Sequence, residues 1–184
     1  ICVLPINSAA FSFDDHDQGK LIIGQRCLEN AIAALGNVPS QLTIAAMHHP
    51  TSWLSDVERT SIKSLLLHNF DLILHGHLHE NEIESIETPV GQAVVLAAGA
   101  SYQGSEWPNT CYFGEWDGSS AKICPVRYFD RPRETWSLDT SLFPDSDDFF
   151  GELAVGQKVC NDRPSEIITT DSVPIAVEDD NQKW

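Results

Sequence analysis

Two short apolar runs, LTIAAM at residues 42–47 and DLIL at residues 71–74, each deliver histidines at their carboxyl end. The first runs into His48-His49-Pro50 and the second into His75-Gly76-His77-Leu78-His79. Six of the chain's seven histidines fall between His48 and His79. Both runs have strand length, and Pro50 cannot continue a central strand. Between the runs, Ser55-Asp56-Val57-Glu58 has the pattern of a capping box. It predicts a helix to about His68 that buries Val57, Ile62, Leu65 and Leu66. Further upstream, residues 1–6 (ICVLPI) predict a strand ended by Asn7-Ser8, and residues 25–35 predict a helix. Its apolar face is Cys27, Leu28, Ala31, Ile32 and Leu35, and Gly36-Asn37 supplies the stop. Strand, helix, strand, helix, strand implies right-handed crossovers and an α/β fold with a partly parallel sheet.

Beyond His79 the pattern changes. Residues 83–87, 92–97, 111–116 and 121–129 read as successive strands separated by Gly, Pro and Asn turns, an antiparallel finish. After about Arg133 no periodicity is strong. Residues 1–133 are therefore expected to form one domain portion. Residues 134–184 are expected to form an acidic tail or linker, partly docked through Phe149, Phe150 and Leu153. From Asp139 onward there are eleven acids against three bases.

The formal net charge of −16 opposes tight, non-specific binding of nucleic-acid backbone, which needs a surplus of cations to release counterions. It leaves room for a metal site that draws in phosphate. No apolar run is long enough to span a membrane as a helix. The five cysteines are odd in number and form no C-x-x-C pair, so a reducing compartment, the cytoplasm, is expected. The chain begins at Ile1 and runs directly into an apolar stretch, which reads as an internal start with polypeptide upstream.

Ligand sites in open α/β sheets lie beyond the carboxyl ends of the strands. His48 sits at one such end, and His77 and His79 sit just past the next. Imidazoles suit Zn, Mn and Fe. Gly76 is expected to let the backbone turn tightly enough for neighbouring rings to face one centre. His16, within Asp14-Asp15-His16-Asp17, reads as part of a solvated turn, though it could edge a cleft. Trp53 reads as a loop aromatic on the following helix, with base stacking as the alternative.

In order and spacing, Met47-His48-His49-Pro50 and Gly76-His77-Leu78-His79 resemble the H-x-P and G-H-x-H motifs of the calcineurin-like metallophosphoesterases. Asn7-Ser8-Ala9 and Gly24-Gln25-Arg26-Cys27-Leu28-Glu29 are similar to the segment that precedes those motifs in many bacterial members. The resemblance covers residues 1–129. It implies the C-terminal portion of an αββα sandwich that carries two divalent metal ions (Mn²⁺, Fe²⁺/³⁺ or Zn²⁺). His48 and His77 would ligate one ion and His79 the other. His49 and His75 would lie behind the ligands or face the substrate.

The family's upstream motifs, D-x-H, G-D-x-x-D and G-N-H-D/E, are absent from this chain. They would supply the bridging Asp and the histidine that assists the leaving group. Three neutral imidazoles hold two adjacent dications poorly, because nothing offsets the repulsion between the ions. The chain is therefore expected to be the C-terminal part of a longer enzyme, one piece of a split enzyme, or a degenerate relative. The expected partner in the first two cases is the missing N-terminal half of the domain. The expected function is metal-dependent hydrolysis of a phosphate ester, a small or nucleotide-like phosphodiester in preference to duplex DNA. The alternative is a non-catalytic interaction module, with the tail as a partner-binding segment. A third reading is a mononuclear structural zinc site.

Overall fold

The structure is a computed structural model that describes residues 1–14, 16–36, 38–79, 81–89, 91–100 and 109–155. Asp15, Asn37, Cys160 and the acidic end of the tail lie outside the described residues. A five-stranded sheet forms from β1 (Cys2–Ile6), β2 (Thr43–Met47), β3 (Leu72–His75), β4 (Glu82–Thr88) and β5 (Gly91–Ala97). Its order is β1-β2-β3-β5-β4. The first four strands in that order are parallel, and β4 closes the edge antiparallel to β5. Helix α1 (Gln25–Leu35) links β1 to β2, and α2 (Arg59–Asn69) links β2 to β3.

Both faces of this sheet are apolar. Ala45, Met47, Ile73 and Ala93 face a core shared with Leu28 and Ile32 of α1 and Ile62, Leu66 and Leu67 of α2. Leu72, Val94 and Leu96 face the other way, onto Ala121 and Ile123 of a second, antiparallel sheet. That sheet contains β6 (Thr110–Trp116), β7 (Ser120–Phe129), β8 (Thr135–Leu138) and β9 (Gly151–Ala154). The result is a mixed α/β arrangement of one helical layer and two sheets among the described residues. Both β8 and β9 pair with β7 and lie beyond Arg133, where the sequence pattern announced no strand. Leu153 packs against the inter-sheet core, and Val155 is buried in it.

The register between β2 and β3 is pinned at their amino ends. The buried Asp71 carboxylate accepts hydrogen bonds from the Thr43 backbone N–H and hydroxyl, each at 2.8 Å. With Ile44 opposite Leu72 and Ala46 opposite Leu74, the carboxyl ends of both strands finish side by side.

The capping-box expectation is corrected. The helix starts at Arg59, and Glu58 does not reach back toward Ser55. Its buried carboxylate instead accepts the backbone N–H groups of Ile23 and Gly24, at 2.6 and 3.0 Å. Two charge-assisted bonds outweigh one local cap, and they tie the start of α1 to α2. Val57, expected in the core, is 92% exposed because it precedes the helix proper. The buried stripe runs instead through Ile62, Leu66, Leu67 and Phe70, with Leu65 half-buried.

Candidate metal site

Gly76 N–H donates to the His48 carbonyl at 3.1 Å, which joins the two loops that follow β2 and β3. The rings of His48, His49 and His77 then converge. Each offers a nitrogen, and the three nitrogens lie within 4.8 Å of one another. His48 Nε2 is 3.2 Å from His77 Nδ1. Zn–N bonds of 2.0–2.1 Å place tetrahedral ligand atoms about 3.3 Å apart, so this pair is already at coordination distance.

The backbone that aims His77 is strained. Leu78 N–H donates to the Gly76 carbonyl at 2.9 Å, a γ-turn centred on His77, whose φ is 71°. The positive-φ γ-turn is the rare, strained form. His79 also has positive φ, at 57°. The expectation that Gly76 supplies the tight turn is therefore corrected. A Cβ on Gly76 would lie 4.0 Å from the His48 carbonyl oxygen, an ordinary contact. The unusual backbone falls on the histidines, a residue type enriched in the left-handed region.

His49 is buried, and a second residue fixes it. Ile6 of β1 lies opposite Met47 of β2, so two residues further on Ser8 is level with His49. Ser8 is fully buried. Its hydroxyl oxygen accepts the His49 backbone N–H at 2.9 Å and lies 3.1 Å from His49 Nδ1. If Nδ1 carries the ring proton and donates to this oxygen, Nε2 is left as a lone pair for a metal. Burial, then the neighbouring His77 and His48 rings, hold the His49 pKa below the ordinary imidazole value, against the opposing Ser8 bond and Asp17 charge. A neutral ring is the form that ligates.

Trp53 ends a short 3-10 turn, Thr51–Trp53, that follows Pro50. Its ring meets His77 edge-on at 4.0 Å between centroids and lies nearly parallel to His49 at 5.7 Å. It also packs on the helix-side core, so the loop-aromatic reading holds only in part. In sequence Ser8 reads only as a strand end, with no sign of its contact to His49. Once β1 and β2 are paired, register alone brings Ser8 to His49.

The remaining histidines lie elsewhere. His79 is half-buried and outside the group of three. His75 is the last residue of β3, and its Nδ1 donates to the Gly76 carbonyl at 3.2 Å. His16 is exposed beside Asp14, at 3.6 Å. In the same loop the Asp17 carboxylate accepts the backbone N–H groups of Phe13 and Asp14 and the Ser12 hydroxyl. Those bonds, the Phe13 one foremost, hold its pKa below the usual carboxylate range.

Three neutral nitrogen donors fit one borderline-soft dication such as Zn²⁺ and leave a coordination position open. They do not by themselves fit two ions, because the group contains no carboxylate among the described residues. Among those residues no helix is long and apolar enough to cross a membrane. Cys2, Cys27, Cys111 and Cys124 are free thiols.

No family model matches the chain, and no curated protein matches it. Some solved structures show a weak overall likeness. Vps29 from Entamoeba histolytica, in complex with Zn²⁺, is 13% identical over 74% of this chain and 97% of its own, with a TM-score of 0.33. Vps29 from Chaetomium thermophilum is 8% identical over 83% of this chain and 97% of its own, with a TM-score of 0.33. A hypothetical protein from Thermus thermophilus is 12% identical over 82% of this chain and 57% of its own, with a TM-score of 0.33. At these scores the likeness carries no argument about the site, which rests on its own geometry.

Proposed function

We propose that this chain supplies the histidine half of a metal-dependent centre for phosphoester hydrolysis. The observation that carries the reading is the convergence of His48, His49 and His77 at the carboxyl ends of adjacent parallel strands. A divalent ion bound there would polarise a phosphoryl oxygen and lower the pKa of a coordinated water. His48 and His77 present their nitrogens from two loops. Ser8 orients His49, and Trp53 shields one side of the rings from water. His79, two residues past His77, is proposed to serve a second ion. The carboxylates such an ion needs would come from polypeptide outside the described residues, the complementary half of the domain. A small or nucleotide-like phosphodiester suits the net charge of −16 better than a long duplex, which needs a cationic track.

The donor set favours a second reading, a non-catalytic module that uses the same histidines for one structural zinc. Metal content and bis-p-nitrophenyl phosphate turnover separate the two. The assay compares the chain with and without added Zn²⁺ or Mn²⁺, alone and within a longer polypeptide that carries the upstream motifs. The catalytic reading expects metal-dependent turnover by the longer form and its loss in His77→Ala. Turnover by His77→Ala at the unsubstituted rate sinks it. Tight zinc with no turnover in either form supports the module.

A further inference from the structure

A cavity of about 200 Å³ opens on the helix-bearing face of the five-stranded sheet, between α2 and β4. Local periodicity builds its walls. Lys63, Leu66 and Leu67 are spaced i, i+3, i+4 and share one face of α2. Glu82, Glu84 and Ile86 alternate along β4 and share one face of that strand. The register sets Glu84, Val95 and Ile73 in a row across the sheet. The apolar floor open to the cavity is that of the half-buried Leu78, Ile86 and Val95, set over the buried Leu66 and Ile73; His75 also lines it, and the rim is charged.

The rim charges oppose each other. Lys63 stands on the helix wall, and Glu82 and Glu84 stand on the strand wall; all three are exposed. None of them takes part in an ion pair among the described residues. A simple anion in this cavity would meet two carboxylates, and a simple cation would meet the Lys63 ammonium. A zwitterion with an apolar side chain satisfies both walls and the floor. A cavity of about 200 Å³ has room for a single amino acid. None of the three clustered imidazoles lines this cavity, although their neighbours Pro50, His75 and Leu78 do.

We propose that this cavity binds a free α-amino acid with an apolar side chain. Its ammonium faces Glu82 and Glu84, its carboxylate faces Lys63, and its side chain lies on Leu78, Ile86 and Val95. The reading does not depend on the metal proposal.

Isothermal titration of the full chain with L-leucine, N-acetyl-L-leucine and L-leucinamide tests it. Leucine is expected to bind saturably at one site, and each blocked analogue at least tenfold more weakly. Lys63→Met should erase the preference for leucine over leucinamide. Glu82→Gln with Glu84→Gln should erase the preference for leucine over N-acetyl-leucine. Both changes lie on exposed side chains, and circular dichroism checks that the fold persists. Val95→Trp, which fills the floor, should abolish binding. No saturable binding at about 10 mM leucine, a concentration above any useful affinity, overturns the proposal. So does equal binding of the three probes, or leucinamide binding more tightly than leucine.

Discussion

Ser8→Ala is the most direct test of how the histidine site is held. Ser8 is 0% exposed, and its hydroxyl oxygen serves both the backbone N–H and Nδ1 of a buried histidine. Removing it orphans two polar groups of His49 at once. The space vacated by one hydroxyl is too small to admit a water that could replace it. An unsatisfied buried group costs about 1–3 kcal/mol, so the two together should cost roughly 2–4 kcal/mol once partial relaxation of the ring is allowed. Against a total stability of about 5–15 kcal/mol this is a large loss. At about 2–4 °C per kcal/mol for a chain of this size, the melting temperature should fall by roughly 4–16 °C. The substitution should also weaken zinc binding about 10–100-fold, the usual effect of losing a group that orients a ligating imidazole. Urea denaturation measures the first effect, and competition against a zinc chelator measures the second. If Ser8→Ala leaves both the midpoint and the zinc affinity unchanged, Ser8 does not position His49 and the reasoning fails.

Substitutions at His77 separate metal ligation from backbone strain. His77→Ala and His77→Gly should both abolish zinc binding. A Cβ in the left-handed region costs about 1–2 kcal/mol, so His77→Gly should be the more stable variant by about 1 kcal/mol in urea. An equal or greater stability of His77→Ala would mean the γ-turn is not strained. Asp117 gives the pH prediction. Bonds from the Ser120 and Ser119 backbone N–H groups bring its pKa down to about 2. Its unfolded value is about 3.9, so its stabilising effect is full above that pH and lost as pH falls through about 2. Carbon-detected NMR should show this titration near pH 2, and a midpoint near 4 would refute the turn geometry. Gly91→Ala should destabilise by about 1–3 kcal/mol or more, because the new Cβ would lie 2.8 Å from the Leu67 carbonyl carbon and 2.9 Å from His68 Cα. Those are backbone atoms that cannot step aside, and a neutral result in urea would show that α2 can shift.

What the sequence discloses and what it hides divide along physical lines. The elements β1, α1, β2 and β3 are legible because each is an apolar run of the right length with a turn signal behind it. Glu58 misleads because a capping box and a long-range carboxylate have the same local spelling. Only the fold shows that Ile23 and Gly24 offer two better donors. Strands β8 and β9 are four residues each, too short for alternation to register, and they exist because β7 provides ten residues of edge. His48 and His77 are visible as a pair because each follows an apolar run of strand length in a pattern that implies neighbouring parallel strands. Ser8 and His49 are not, since their meeting depends on the register between β1 and β2.

The close approach of His48 and His77 also constrains how many ions the three rings can hold. Two imidazole nitrogens 3.2 Å apart cannot both present lone pairs to each other without repulsion. Without a metal, one of them must carry a proton that it donates to the other. A dication bound there would take the place of that proton, with the rings turned so that both lone pairs meet the ion off the line between the nitrogens. At His49 the Ser8 hydroxyl can accept the Nδ1 proton and free the far nitrogen for the same ion. Each ring would then give its one available lone pair to a single centre, and none would remain to bridge to a second. An additional ion must find its ligands in His79 and in carboxylates beyond this cluster, whose negative charge would offset the repulsion that neutral imidazoles leave standing.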